Sequence, residues 1–133
     1  MSSPSITLRL DGNGRVYRPG ETLAGEYQID GVAATEIAAV EVSVVWHTEG
    51  KGEEDLSVHE FRRLSAEEGD RLVPGVAERF ETVLPRSPLS YDGMIVKLRW
   101  CVRVRAFLGR GKEIVGEREF RLGNVLPIKG RES

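Results

Sequence analysis

Alternation of apolar and polar residues with a period of two runs through most of the chain. It is longest from Met94 to Leu108. There Met94, Val96, Leu98, Trp100, Val102, Val104, Ala106 and Leu108 share one parity. Ile95, Lys97, Arg99, Cys101, Arg103, Arg105 and Phe107 share the other. Such a pattern predicts a strand with one buried and one wetter face; a helix would scatter both classes around its circumference. At ~3.3 Å per residue it would run roughly 50 Å, so a bend or bulge is expected within it.

Shorter runs of the same kind flank it. Ile6, Leu8 and Leu10 predict a first strand, followed by an Asp11–Gly14 turn and an Arg18-Pro19-Gly20-Glu21 turn. Leu23, Gly25, Tyr27 and Ile29 are expected inward on the next strand, and Val40, Val42, Val44 and Trp46 on the one after. Leu56 and Val58 continue that inward parity and Phe61 breaks it, so either the phase slips at a bulge near His59 and Glu60 or the strand ends there. Ser65 to Glu68 has capping-box spacing, but Gly69 follows at once, which predicts one helical turn or plain loop. Phe80, Thr82 and Leu84 predict an inward face closed by Pro85, and 86–93 is a turn-rich lead into the long strand. Gly109-Arg110-Gly111 predicts a tight reversal into a return strand through Leu122. Setting Ala106 opposite Ile114 brings Trp100 to Phe120, Leu98 to Leu122 and Arg103 to Glu117, with Glu113 and Glu119 diagonal to Arg105 and Arg103.

About eight strands and no substantial helix predict an all-β, immunoglobulin-like antiparallel β-sandwich, with connections 31–36 and 62–75 crossing between sheets. The 133 residues suit one domain spanning 1–133, with an ordered core at about 5–123 and a C-terminal tail at 124–133. A net charge of −2 lacks the positive excess that nucleic acid or an anionic membrane requires. One cysteine, Cys101, rules out an internal disulfide and a multi-thiolate zinc site. No window reaches the ~18 apolar residues of a membrane span, and no signal-peptide pattern opens the chain, so a cytoplasmic protein is expected.

Three pieces of sequence carry a family resemblance. They are Val16 to Tyr27 with its Pro19-Gly20-Glu21 turn and Gly25, the strand from Phe80 ending in Leu84-Pro85, and Ser87 to Gly93 running into Ile95 to Trp100. In their order and spacing the chain resembles the arrestin-like family. Members include arrestins on receptor tails, the arrestin-like retromer subunit in membrane sorting, and bacterial sporulation-control proteins. The resemblance implies an arrestin-like sandwich acting as a non-enzymatic adaptor. Family members usually join two such sandwiches and this sequence holds one, so receptor- or phosphate-binding residues are not carried over. Pairing with a second copy of itself, as a homodimer, is one way a single sandwich could act.

The residues offer several candidate sites. The basic row Lys97, Arg99, Arg103 and Arg105 could meet an acidic partner, or could pair with Glu113, Glu117 and Glu119 at about 0.2–1 kcal/mol per cross-strand pair. Tyr91 and Asp92 belong to the 86–93 loop, which with the 48–55 loop and the sheet edges is expected to receive a protein partner. His47 and His59 flank Glu49, Glu53, Glu54 and Asp55, acceptable ligands for a metal-dependent small enzyme if the two strands form a hairpin, though no tight His spacing marks a metal site. Cys101 lies between two arginines that would activate its thiol, while Glu119 across the ladder would oppose them. A carbohydrate- or lipid-binding sandwich would need exposed aromatics, whereas Trp46 and Trp100 lie on inward parities. No phosphate loop, nucleophile elbow or dinucleotide fingerprint appears. The expectation is a non-enzyme without cofactor that binds a protein partner, with no nucleic acid and no membrane span.

Overall fold

The computed structural model describes residues 3–12, 15–50, 54–93 and 96–123. Two sheets face each other. The smaller has strand order β1-β3-β6, from Ser5–Leu10 (β1), Thr22–Asp30 (β3) and Glu78–Val83 (β6). The larger has order β2-β9-β8-β4-β5, from Val16–Tyr17 (β2), Glu113–Leu122 (β9), Val96–Leu108 (β8), Ile37–Gly50 (β4) and Leu56–Ser65 (β5). Tyr91–Asp92 (β7) pairs with one end of β8. This is an all-β sandwich, with nine strands among the described residues. The only helical elements there are single 3-10 turns at Ala34–Glu36, Ala66–Glu68 and Gly109–Gly111.

The inward parities form the core. Leu23, Tyr27 and Ile29 face Val40, Val44, Trp100, Val102, Val104, Phe120 and Leu122, all buried. Trp100 is fully enclosed, and its Nε1–H donates to the Pro88 carbonyl at 2.7 Å, satisfying the one polar atom it carries inside. Trp46 lies opposite Trp100 and is partly buried against the core.

The Pro19-Gly20-Glu21 turn locks β3 to β6. Gly20 adopts φ +82° and donates to the Leu84 carbonyl, while Glu21 accepts the Arg18 amide at 2.8 Å and its carbonyl receives the Leu84 amide. The backbone donor of Arg18, reinforced by the Arg15 guanidinium, holds the Glu21 carboxyl below the usual range. Gly25 is glycine for a steric reason. A Cβ there would come within 2.9 Å of Phe80 Cζ and closer still to the Arg9 carbonyl oxygen on β1.

The β8–β9 register is the one the sequence predicts: Ala106 opposite Ile114, Arg103 opposite Glu117, Trp100 opposite Phe120. Leu98 departs from expectation. It pairs with Tyr91, because β7 inserts beside β8, and Leu122 instead exchanges hydrogen bonds with Ser90. No register shift interrupts the described β8 pairings with β9. The irregularity falls on β4 between Ile37 and Ala39, near the far end of the β8 pairing. Met94 and Ile95, predicted to begin the strand, lie outside the described residues, as do the 124–133 tail and residues 13–14 of the Asp11–Gly14 turn.

The phase slip near His59 is present. Val44 pairs with Glu60 and Val45 with Val58, so His59 is the extra residue of a bulge. The strand then continues to Ser65, further than the predicted 62–75 connection allows. The bulge also reverses an expectation. Val58 shares the outer face of Val45, and Leu56 that of His47; both are exposed rather than inward. After Ser65 the chain makes the expected helical turn, but without the capping box. The Ser65 amide donates to Asp70 Oδ2 at 2.8 Å, and Gly69 closes the turn at φ +89°.

Candidate functional site

The outer face of the large sheet gathers most of the chemistry marked in the sequence. Across β5, β4, β8 and β9 its rows read Leu56, His47, Arg99; Val58, Val45, Cys101, Glu119; Phe61, Ser43, Arg103, Glu117; and Arg63, Glu41, Arg105, Val115. In the first three rows the β5 end is apolar and the far end charged; the fourth reverses this, with Arg63 on β5 and Val115 on β9.

Toward β9 the basic row is woven into carboxylates. Arg99 donates to Glu119 at 2.6 Å and to Glu49 at 3.2 Å, and lies 4.0 Å from Asp92. Arg103 donates to Glu117 at 2.6 Å, and Arg105 stands 4.0 Å from Glu113 with its guanidinium near the Phe107 ring. Glu119 therefore serves Arg99 rather than its expected diagonal, Arg103. Lys97 is exposed, opposite both Glu49 and Asp92. Asp92 takes a further hydrogen bond from Arg121 at 2.9 Å, and Tyr91 beside it is exposed. These contacts raise the Arg99 pKa, chiefly through Glu119, and lower that of Glu49, chiefly through His47 and then Arg99. Solvent screens such exposed pairs, so each contributes little to stability.

The two histidines face different surroundings. His47 Nε2 meets Glu49 at 3.0 Å beside Arg99. His59, carried by the bulge, sets its ring edge-on to Trp100 at 6.0 Å and places Nε2 2.8 Å from the Val83 carbonyl on β6. No group of three or more His, Cys, Asp or Glu is arranged for a metal among the described residues, which do not include Glu53. Cys101 is buried between β4 and β9, and its thiol is pushed up to about 11, first by burial and then by Glu117 against the opposing pull of Arg103. A thiol in that state is a poor nucleophile at neutral pH.

A groove of about 690 Å³ opens where β1 diverges from β9, lined by Arg9, Arg15, Tyr17, Arg118 and Arg121 among others. Arg15 pairs with Glu21 and lies over the Tyr17 ring, and Arg121 pairs with Asp92. Arg118, on the inward parity of β9, donates to the Leu8 carbonyl at 2.9 Å and so ties the two sheets together. Arg15, Arg118 and Arg121 thus already have work within the fold, whereas Arg9 makes no ion pair among the described residues.

What sequence reading missed lies on β5. This strand ends the large sheet, and no described strand pairs with its far side. Leu56, Val58 and Phe61 are 57%, 54% and 53% exposed along it. Val83, 61% exposed, ends β6 at the point where His59 reaches across. The bulge itself was the available signal, since a one-residue slip moves Val58 to the outer face.

No protein-family model matches the chain, and no curated protein matches it. Among solved structures it is similar to Spo0M, sporulation control protein, from Bacillus subtilis, with a TM-score of 0.67 and 13% sequence identity over 94% of this chain and 51% of that one. The chain thus spans about half the length of that structure. At this identity the likeness is one of fold, and it agrees with the strand order: the chain carries an arrestin-like β-sandwich.

Proposed function

We propose that this sandwich is a non-enzymatic protein-interaction module that receives its partner along the β5 edge. The observation that carries the reading is the open edge with three large apolar side chains more than half exposed, Leu56, Val58 and Phe61. An edge strand offers a row of unpaired amides and carbonyls for an added strand, and apolar side chains beside it supply the area that holds one there. The likeness to a sporulation control protein supports a regulatory role over a catalytic one. The basic row contributes less, because its arginines already pair with Glu49, Glu113, Glu117 and Glu119.

The test compares immobilised wild type with the Val58→Asp/Phe61→Asp variant as bait. Both residues are solvent-facing, so melting temperatures should agree within a few degrees. The expected result is a protein retained by the wild type and lost by the variant. Equal retention by both would sink the assignment to β5.

A further inference from the structure

Taking the β5 edge as an interaction surface, we infer that it pairs with β5 of a second copy of this chain, antiparallel, about a two-fold axis at Phe61. The inference rests on the edge reading above and adds the partner and the register.

The first ground is charge. Arg63 on β5 is already used: it pairs with Glu41 and its guanidinium lies over Phe107. Glu60 and Arg62, two residues apart on the opposite face of the strand, make no ion pair among the described residues, and Arg62 is exposed. Glu60 accepts a hydrogen bond from the neutral Thr82 hydroxyl at 3.1 Å, so the strand carries one anion and one cation that have no opposite charge among the described residues, with a single residue between them.

The second ground is register. In an antiparallel pair, the residues whose backbone groups point away from β4 recur at every second position. Two identical strands joined through those groups must have their two-fold on a residue. A two-fold at Glu60, Arg62 or Arg63 would set that charge against its own copy, which is unfavourable. At Leu64 the pairing would run past the strand end at Ser65. At Phe61, Glu60 of each copy meets Arg62 of the other, twice, and the two Phe61 rings meet on the outer face next to Val58. The bulge at His59 limits the ladder to a few residues, as bulges at sheet edges do. So short a ladder implies an interface at the small end of the range and weak, reversible association, at roughly 10 µM to 1 mM.

The experiment is sedimentation equilibrium of the wild type across that concentration range, joined to cysteine cross-linking under mild oxidation. The weight-average mass should rise from one chain toward two. Arg62→Glu, an exposed position that leaves Thr82's hydrogen bond to Glu60 intact, should weaken association at least tenfold. Phe61→Cys chains should cross-link to one another, because paired residues stand about 4.5–5.5 Å apart in Cα, within disulfide reach, while Val58→Cys chains should not. A single-chain mass at every concentration overturns the inference. So does association that Arg62→Glu leaves unchanged, or cross-linking as efficient at Val58→Cys as at Phe61→Cys. A monomer whose bait still loses its captured protein on Val58→Asp/Phe61→Asp substitution refutes self-pairing and leaves the edge assignment standing.

Discussion

Replacing Gly25 by alanine should be among the most damaging single-methyl changes in this chain. The added Cβ would sit 2.9 Å from Phe80 Cζ and closer still to the Arg9 carbonyl oxygen. The phenyl ring has little freedom, since Phe80 is buried in the core. The carbonyl has less, because β1 is fixed to β3 through every position from Ser5 opposite Asp30 to Leu10 opposite Gly25. Overpacking of this kind costs about 1–3 kcal/mol, and a backbone obstacle places Gly25→Ala at the upper end, about 3 kcal/mol. For a chain of this size that lowers the melting temperature by about 10 °C. Gly109→Ala is the control: nothing lies within 4 Å of its Cβ and its φ is not positive, so a change within about 0.5 kcal/mol is expected. Urea unfolding followed by tryptophan fluorescence reads both, since Trp100 is fully buried when folded. Equal midpoints for the two variants would refute the close pairing of β1 beside β3 at this point.

Further expectations concern the outer face and the buried phenol. Arg103→Ala should cost no more than about 1 kcal/mol by the same unfolding assay, because its pair with Glu117 is partly exposed; a loss above about 2 kcal/mol would mean the pair anchors the sheet. Calorimetric titration with zinc should show no stoichiometric heat, as His47 meets Glu49 and Arg99 while His59 meets Trp100 and the Val83 carbonyl; one-to-one binding would contradict that separation. Cys101 should resist alkylation at pH 8 in the folded protein and react in urea, since burial holds its thiol near 11; equal rates would contradict its burial. Tyr27, pushed up to about 12 chiefly by burial, is neutral in the fold above its ordinary value of 10. Its contribution to stability is complete below pH 10 and is lost as pH rises from about 10 to 12, because the unfolded chain ionises first. Tyr27→Phe should flatten that alkaline loss in pH-dependent unfolding.

The sandwich was legible because the long strands other than β5 alternate with a period of two. On β8 and β9 one parity is almost wholly apolar, so the register follows once the Gly109–Gly111 reversal is placed, and the acidic partners of Arg103 and Arg105 follow with it. β5 was not legible to the same degree. Its alternation is interrupted at His59, and the side on which Val58 falls depends on whether the extra residue is accommodated in β4 or β5, which only the pairing decides. The same bulge separates the histidine environments, since it turns His59 toward Trp100. Leu98 was misplaced for another reason. Pairing by β7 depends on the Ser90 and Asp92 contacts with Leu122 and Arg121, which join residues about thirty positions apart and leave no local pattern.

Interaction along β5 is tested most directly by amide hydrogen exchange of the wild-type chain, free and with its captured protein partner or at high self-concentration. Binding at this edge should slow exchange across Leu56–Ser65, most at Glu60 to Arg62, and leave Tyr91–Asp92 unchanged. Unaltered exchange throughout Leu56–Ser65, with slowing at the 86–93 loop instead, would contradict it.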